Sequence, residues 1–425
     1  MIDIKLIRES PELVKENIKK KFQDEKLVLV DNILKLDEKW RKLKFEGDKL
    51  RSDRNRISKK ISELKKKKEN ADKELEEAKK IPAKIDKNQE KLLKLEKDIN
   101  EIMFKIPNIM HESVPLGKDD SENVEIEKFG EPIVPKYEIF NHAELALKMN
   151  GVDFEIAQKN SGNGFYFLRG DIARLHSALF SYARDYMIDK GFELIVVPNM
   201  LRSEVVDGVM SFEEKDAMMY KIEGEDLYLI GTSEHALIGM YKNKKLNGKS
   251  LPETITAYSA CYRKEVGAHG IEEKGFFRVH QFEKQEMVVV CEPKESYNWY
   301  NKMLQFTVDF FRSLDIPVRT LECCSGDLAD LKAKSTDVET WSPRQKKYFE
   351  IGSCSNMTDA QARRLNIRYD LNGEINFAHT LNNTVISSPR ALIALMENNQ
   401  LEDGSIKIPK ALQKYMNDEK VVKVK

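Results

Sequence analysis

In the stretch CYRKEVGAHGIEEKGFFRVHQFEKQEM, residues 261 to 287, Arg263 and Glu265 stand two apart, and Arg278, His280, Phe282 and Glu286 recur at even spacing. Period two is the repeat of a β-strand, so each set shares one face of a predicted strand pair. Guanidinium groups are rigid forks of donors that match phosphate oxygens. An aromatic ring offers a flat face to a base, and carboxylates accept hydrogen bonds from amines. For any one residue the plainer reading is an ordinary core ring or a surface ion pair. Five on matching parities fit better with a ligand that carries phosphate, a flat base and an amine. The two arms are joined by about ten residues holding Gly267, Gly270 and Gly275, longer than the ~2 to 5 residues usual in a hairpin, and long loops in compact domains are usually functional.

Something must hold such strands. Beyond about residue 135, short apolar or alternating runs (DLYLIGTSEH, ETITAYSACYRKE, KKYFEIGSCSN, INFAHTLNN) follow one another as hairpins rather than through crossover helices. An antiparallel sheet flanked by helices, the α+β class, is expected. One such helix carries Leu175, Leu179, Tyr182 and Tyr186 on one face and leads into the strand GFELIVVP, closed by Pro198.

The first quarter is different. Leu29, Ile33, Leu36, Trp40, Leu43, Leu50, Ile57, Ile61 and Leu64 recur in alternating steps of four and three, with Gly47 and Arg54 in the two missing places. This is a heptad seam. A second seam runs through Ile85, Leu92, Leu95, Ile99, Ile102 and Ile106, with Asn88 as its one polar member. The two predict an antiparallel helical hairpin over about 27 to 106, whose first helix would be about 60 Å long at ~1.5 Å per residue. Pro82 is expected to end or kink the second helix. Residues 111 to 135, with Pro, Gly and acidic residues, read as a linker between a unit at 1 to 110 and a unit at 136 to 425.

Of the 425 residues, 41% are hydrophobic, and 71 basic side chains balance 71 acidic ones. Residues 1 to 110 hold 31 Lys and Arg against 23 Asp and Glu, which leaves 40 against 48 for the remainder. On the outer half of the first helix Arg51, Arg54, Arg56, Lys59, Lys60, Lys65, Lys66, Lys67 and Lys68 face only Asp53 and Glu63. Such an excess suits phosphate backbones, and the pattern alone fits a solvated coiled-coil surface equally well. No run approaches the roughly 18 apolar residues of a membrane span, and the start, MIDIKLIRES, is too charged for a signal peptide. A cytoplasmic protein with no membrane partner is expected. Its five cysteines show no metal-type spacing and are read as reduced, mostly buried thiols.

Arg263-x-Glu265 followed by FFRVHQFEKQEM resembles the second signature of class II aminoacyl-tRNA synthetases, and of the seryl-tRNA synthetase family in particular. GFELIVVP is similar to the first signature, GTSEH (231 to 235) to the serine-site element, YFEIGSCSN (348 to 356) to the metal and ATP strand, and HTLNNTVISSPRALIALMENNQLEDGSIKIPKAL (379 to 412) to the third signature. With the helical arm in front, the resemblance covers nearly the whole chain.

It implies activation of serine by ATP and transfer of the seryl group to the terminal adenosine of serine tRNA, with selenocysteine tRNA as an open second acceptor. By similarity the catalytic pair is Arg263 on the α-phosphate and Arg390 on the outer phosphates. Phe282 would stack on adenine against Arg390, Glu265 would accept from the adenine amino group, and Arg278 would meet ATP or the serine carboxylate. Glu350 and Ser353 match ligands of Mg2+. Serine falls to Thr232, Glu234, Arg263, Glu286, Asn382 and Thr384, and the basic residues of the arm to tRNA. A homodimer is implied. NNTVISSPR lacks the glycines often found before the third-signature arginine; Ser388 as N-cap and Pro389 as first helical residue would still put Arg390 in a first helical turn. His269 reads as an exposed loop histidine, with the tRNA acceptor end as an alternative contact.

Two other functions compete. A non-catalytic tRNA-binding paralogue should have lost phosphate or metal groups, yet Arg263, Glu350 and Arg390 all remain. A ligase loading a carrier protein should lack the arm, and this chain keeps it.

Overall fold

The computed structural model describes residues 1–265 and 275–424. Gly267, His269 and Gly270 lie outside them. The chain divides into two compact units, Ile2–Pro107 and Asn108–Lys425, the latter with Met1.

In the first unit the heptad seams become two long helices, α1 (Leu27–Lys66) and α2 (Asp72–Met103). Ile33, Ile57, Leu92 and Ile99 are buried between them, and Arg54 stays exposed. Two of the three odd seam members meet. Asn88 donates to the Leu43 carbonyl at 3.1 Å, and a Cβ built on Gly47 would lie 2.5 Å from Asn88 Oδ1. Gly47 is thus the gap that admits the polar side chain. Pro82 does not end the helix: α2 runs through it, with the residue exposed. An internal proline costs ~3 kcal/mol, and seam burial at Ile81 and onward to Leu92 and Ile99 supplies the offsetting stabilisation.

The second unit is built on an eight-stranded sheet. In chain order its strands are β1 (Val124–Phe129), β2 (Glu193–Leu194), β3 (Glu253–Tyr262), β4 (Gln281–Cys291), β5 (Val318–Glu322), β6 (Lys334–Ser342), β7 (Lys347–Asn356) and β8 (His379–Ser387). In space they run β1-β5-β6-β7-β8-β4-β3-β2, antiparallel except for β2 beside β3. The segment expected as a linker therefore supplies an edge strand. The GFELIVVP strand shrinks to two residues.

Helices cover both faces. Leu175 and Leu179 of α3 (Gly170–Asp189) are buried, as are Met303, Phe310 and Phe311 of α5 (Ser296–Arg312) and Leu392 and Leu395 of α6 (Arg390–Asn398); all share one core with Met287 and Val289 of β4. Tyr182 and Tyr186 pack on Phe310 at ring separations of 5.1 and 5.5 Å. On the other face Leu237 and Ile238 of α4 (Ser233–Gly239) meet Val288, Val290 and Ile255. Because both faces are covered, β4 is apolar almost without alternation beyond Glu286. All five cysteines are buried and free. No described helix is long and apolar enough to cross a membrane.

Candidate active site

Between the ends of β3 and β4 and the middles of β6, β7 and β8 lies a cavity of about 390 Å³. Arg263, Glu265 and Arg278 line it, but from just beyond the strands rather than on them. Glu265 adopts φ 45°, a left-handed conformation that ends extended pairing. Within β4 the alternation places Phe282 and Lys284 in the cavity while Glu283 turns to the opposite face, 3.3 Å from His176 of α3.

At one end the groups match an ammonium and a hydroxyl. Thr232 caps α4, its hydroxyl accepting from the Glu234 amide at 3.3 Å. Glu234 points into the cavity wall, where Gln361 donates to it at 2.9 Å. Burial pushes its carboxyl up to about 7, so a cationic ligand would favour its ionised form. Asn382 and Thr384 line the same end. Glu286 is wholly buried behind them: Asn382 donates to it at 2.7 Å, Thr384 at 3.0 Å, and Lys284 forms an ion pair with it. Its carboxylate fixes the two cavity-lining side chains rather than lining the cavity itself.

At the other end the groups match a nucleotide. The Arg263 guanidinium lies over the Phe282 ring at 5.3 Å, with Nε donating to the Gly231 carbonyl at 3.2 Å. Arg278 pairs with Glu265 at 3.1 Å. Arg390 donates to both the backbone oxygen and the carboxylate of Glu350 at 3.0 Å and lies 4.8 Å from the centre of the Phe277 ring. The expected facing of Phe282 and Arg390 is therefore split here between two rings, each with its own arginine. Helix α6 begins at Arg390 with Pro389 in the cap position, one residue later than expected. The Ser388 hydroxyl is engaged elsewhere: it accepts from the Glu283 amide and donates to the Glu283 carboxylate, each at 2.9 Å.

Sequence reasoning missed Phe277, Lys332 and Asp337. Register places Asp337 of β6 opposite Ser353 of β7. Burial and the nearby Glu350 charge push the Asp337 carboxyl up to about 7. Carboxylates that repel one another beside a hydroxyl are hard oxygen donors with negative charge to offset, so Glu350 and Ser353, with Asp337 behind them, fit a divalent cation. Cys323, Asp327 and Asp337 also bring their ligand atoms within 4.8 Å of one another. Lys332 reaches Ser335 at 3.2 Å and Ser353 at 3.5 Å. Burial works against its charge, yet the surrounding anionic groups keep its pKa above the ordinary lysine value. Asp337 has no local sequence signal because cross-strand register places it, whereas Lys332 and Phe277 stand in the loops ahead of β6 and β4.

The basic arm residues also find partners. Arg51 pairs with Asp48 at 2.9 Å, Arg56 with Asp53 at 3.0 Å, and Lys60 with Glu74 across the hairpin at 2.7 Å. Arg54, Lys59, Lys65, Lys66, Lys67 and Lys68 are all exposed.

Residues 1–110 match the family model described as the seryl-tRNA synthetase N-terminal domain, and residues 218–399 match the tRNA synthetase class II core domain (G, H, P, S and T). A serine-tRNA ligase of Methanospirillum hungatei is 41% identical over 98% of this chain and 99% of its own length. One of Thermococcus sibiricus is 43% identical over 100% and 98%. Among solved structures, seryl-tRNA synthetase from Pyrococcus horikoshii complexed with ATP superposes with a TM-score of 0.93 at 41% identity, covering 100% of both chains. The cytoplasmic serine-tRNA ligase of Naegleria fowleri in complex with AMP gives 0.88 at 34%, over 100% and 99%. In sequence and in fold, over its whole length, the chain belongs to the seryl-tRNA synthetase family.

Proposed function

We infer that the chain is a serine-tRNA ligase. The observation that carries this reading is a single cavity with two chemically distinct ends. Thr232, Glu234, Asn382 and Thr384 suit serine, while Arg263, Phe282, Glu350, Ser353 and Arg390 suit ATP. An ionised serine carboxylate is already a nucleophile, so the first step needs position and charge neutralisation more than a base. Its oxygen bonds to the α-phosphorus, the bond to the β-phosphate oxygen breaks, and pyrophosphate leaves. The terminal ribose hydroxyl of tRNA then attacks the seryl carbonyl and AMP departs.

Arg263 neutralises the α-phosphate, Arg390 the outer phosphates, and Glu265 and Arg278 close over the nucleotide. Mg2+ held by Glu350 and Ser353 would supply further charge neutralisation on the triphosphate. Half-buried Glu234 with buried Thr232, Asn382 and Thr384 rejects alanine, which leaves polar groups unpartnered. The arm, with its exposed basic outer half, binds serine tRNA.

A homodimer is supported by the apolar side chains exposed between 188 and 200: Ile188, Leu194, Met200 and above all Val196, at 92%. The cytoplasm is the compartment of this chemistry. Serine-dependent exchange of pyrophosphate into ATP tests the reading. Exchange with serine and none with alanine is expected; no exchange with any amino acid at ample magnesium would sink it.

A further inference from the structure

Helix α1 carries one large aromatic side chain where a two-helix seam has no use for it. Phe45 stands two residues after the seam member Leu43, at the outermost heptad position, and is 73% exposed. Its lateral neighbours, three and four residues away, are Arg41, Lys42, Asp48 and Lys49, three cations to one acid, all exposed. Asp48 is already paired with Arg51, and Arg41 with the buried Asp37, which leaves Lys42 and Lys49 as the cations beside the ring. The row Lys42, Phe45, Lys49, Ser52, Arg56 and Lys59, bounded by Glu38 and Glu63, continues toward the tip with four cations and one ring, and Asp48 stands beside it. The pairs of Lys42 with Glu38 at 2.7 Å and Arg56 with Asp53 at 3.0 Å are exposed. Such pairs are weak and yield readily to a stronger anion.

An isolated ring bordered by cations is poorly suited to an apolar protein partner, which would have to desolvate the charges around it. It suits single-stranded or looped RNA, whose phosphates meet the cations while an unstacked base covers the ring. The line is continuous with the basic outer half of the arm. We propose that Phe45 is a stacking platform for an unpaired base of the bound tRNA, with Lys42 and Lys49 holding phosphates on either side. This rests on the reading of the arm as the tRNA-binding unit and extends that surface from the tip toward the middle of α1.

The test uses the full chain, a serine tRNA transcript and two readouts, serine-dependent pyrophosphate exchange and tRNA charging. Phe45→Ala should leave exchange and the melting curve unchanged, because the ring packs on nothing that it would uncover, and should lower kcat/KM for tRNA roughly 5- to 100-fold. Phe45→Trp should retain charging. The salt dependence separates the ring from the charges. Phe45→Ala should leave the slope of log affinity against log salt unaltered, whereas Lys49→Ala should reduce it by about 1. Full charging by Phe45→Ala, alongside lost charging when Lys59, Lys60 and Lys66 are changed to Glu, would overturn the stacking role and leave the arm's role standing. Full charging by both variants would remove the arm's role itself.

Discussion

Arg390 touches the two groups that a triphosphate and its cation would compete for, the Glu350 carboxylate and the face of Phe277. In the proposed role its removal would leave the outer phosphates without a guanidinium, and one lost charge-stabilising donor typically costs about 100- to 1000-fold. Arg390→Ala should therefore lose pyrophosphate exchange by at least about 100-fold, measured at saturating serine, while its melting curve stays near the parent's. Glu234 carries a pH prediction. Burial raises its folded carboxyl to about 7, above the ~4.3 of an unfolded chain. The folded state thus holds a proton that the unfolded state releases, and this contribution to stability is present below ~4.3 and lost as pH rises toward 7. Attraction for the serine ammonium has the opposite dependence, since only the ionised form supplies it. KM for serine should fall as pH rises from 6 to 8, and Glu234→Gln should flatten that profile while raising KM. An unchanged profile in the variant would take the ammonium role away from Glu234. At this scale period two is a local signal and it put Phe282 on the cavity face of β4, but Arg263, Glu265 and Arg278 reach the cavity from beyond the strands and Glu286 lies behind its wall. Asp337 was not legible, since its proximity to Ser353 depends on how β6 and β7 come into register.

Among the elements, the two heptad seams were the most legible, and two of their three exceptions turned out to be one feature. Gly47 and Asn88 fill each other's space across the hairpin, so they should not act independently. Gly47→Leu should push Asn88 out and cost about 1 to 3 kcal/mol of arm stability, the usual scale for overpacking. Gly47→Ala and Asn88→Ala together should be less damaging than the sum of the single changes, with a coupling of at least ~0.5 kcal/mol in urea melts followed by helicity. Strict additivity would mean that the contact carries no energy. Three element boundaries escaped the sequence, each for a physical reason. The edge strand β1 reads VEIEKF and is exposed along nearly its whole length, so its charge looks like a linker. The strand pair β3 and β4 ends at Tyr262 and Gln281, with one further bond from the Arg263 amide to the His280 carbonyl at 3.0 Å, before Glu265 turns to positive φ. Helix α2 passes Pro82 because the proline faces outward while the seam on either side is buried.

For the molecule as a whole, on the proposed reading the division into Ile2–Pro107 and Asn108–Lys425 would separate the two halves of the reaction. Every residue that lines the cavity belongs to the second unit, from Thr232 to Arg390, and that unit has its own core running through α3, α5, α6 and the sheet. Adenylate formation needs only serine, ATP and those residues. Transfer needs a polyanion several times larger than the cavity, and the concentrated basic surface lies on the first unit. The charge split points the same way: +8 on residues 1 to 110 against −8 on the rest gives an RNA a reason to choose the arm and to avoid non-specific contact elsewhere. Deleting residues 30 to 104 should leave pyrophosphate exchange within about twofold of the parent, because no cavity group is removed. Charging of serine tRNA should fall steeply, since phosphate contacts dominate nucleic-acid affinity and the exposed cations of the arm would be gone. Raising the tRNA concentration should restore part of the rate, because the terminal adenosine would still meet an intact adenylate site. Charging that survived the deletion at low tRNA would place the discriminating contacts on the second unit, against both the charge distribution and the exposed basic face of α1.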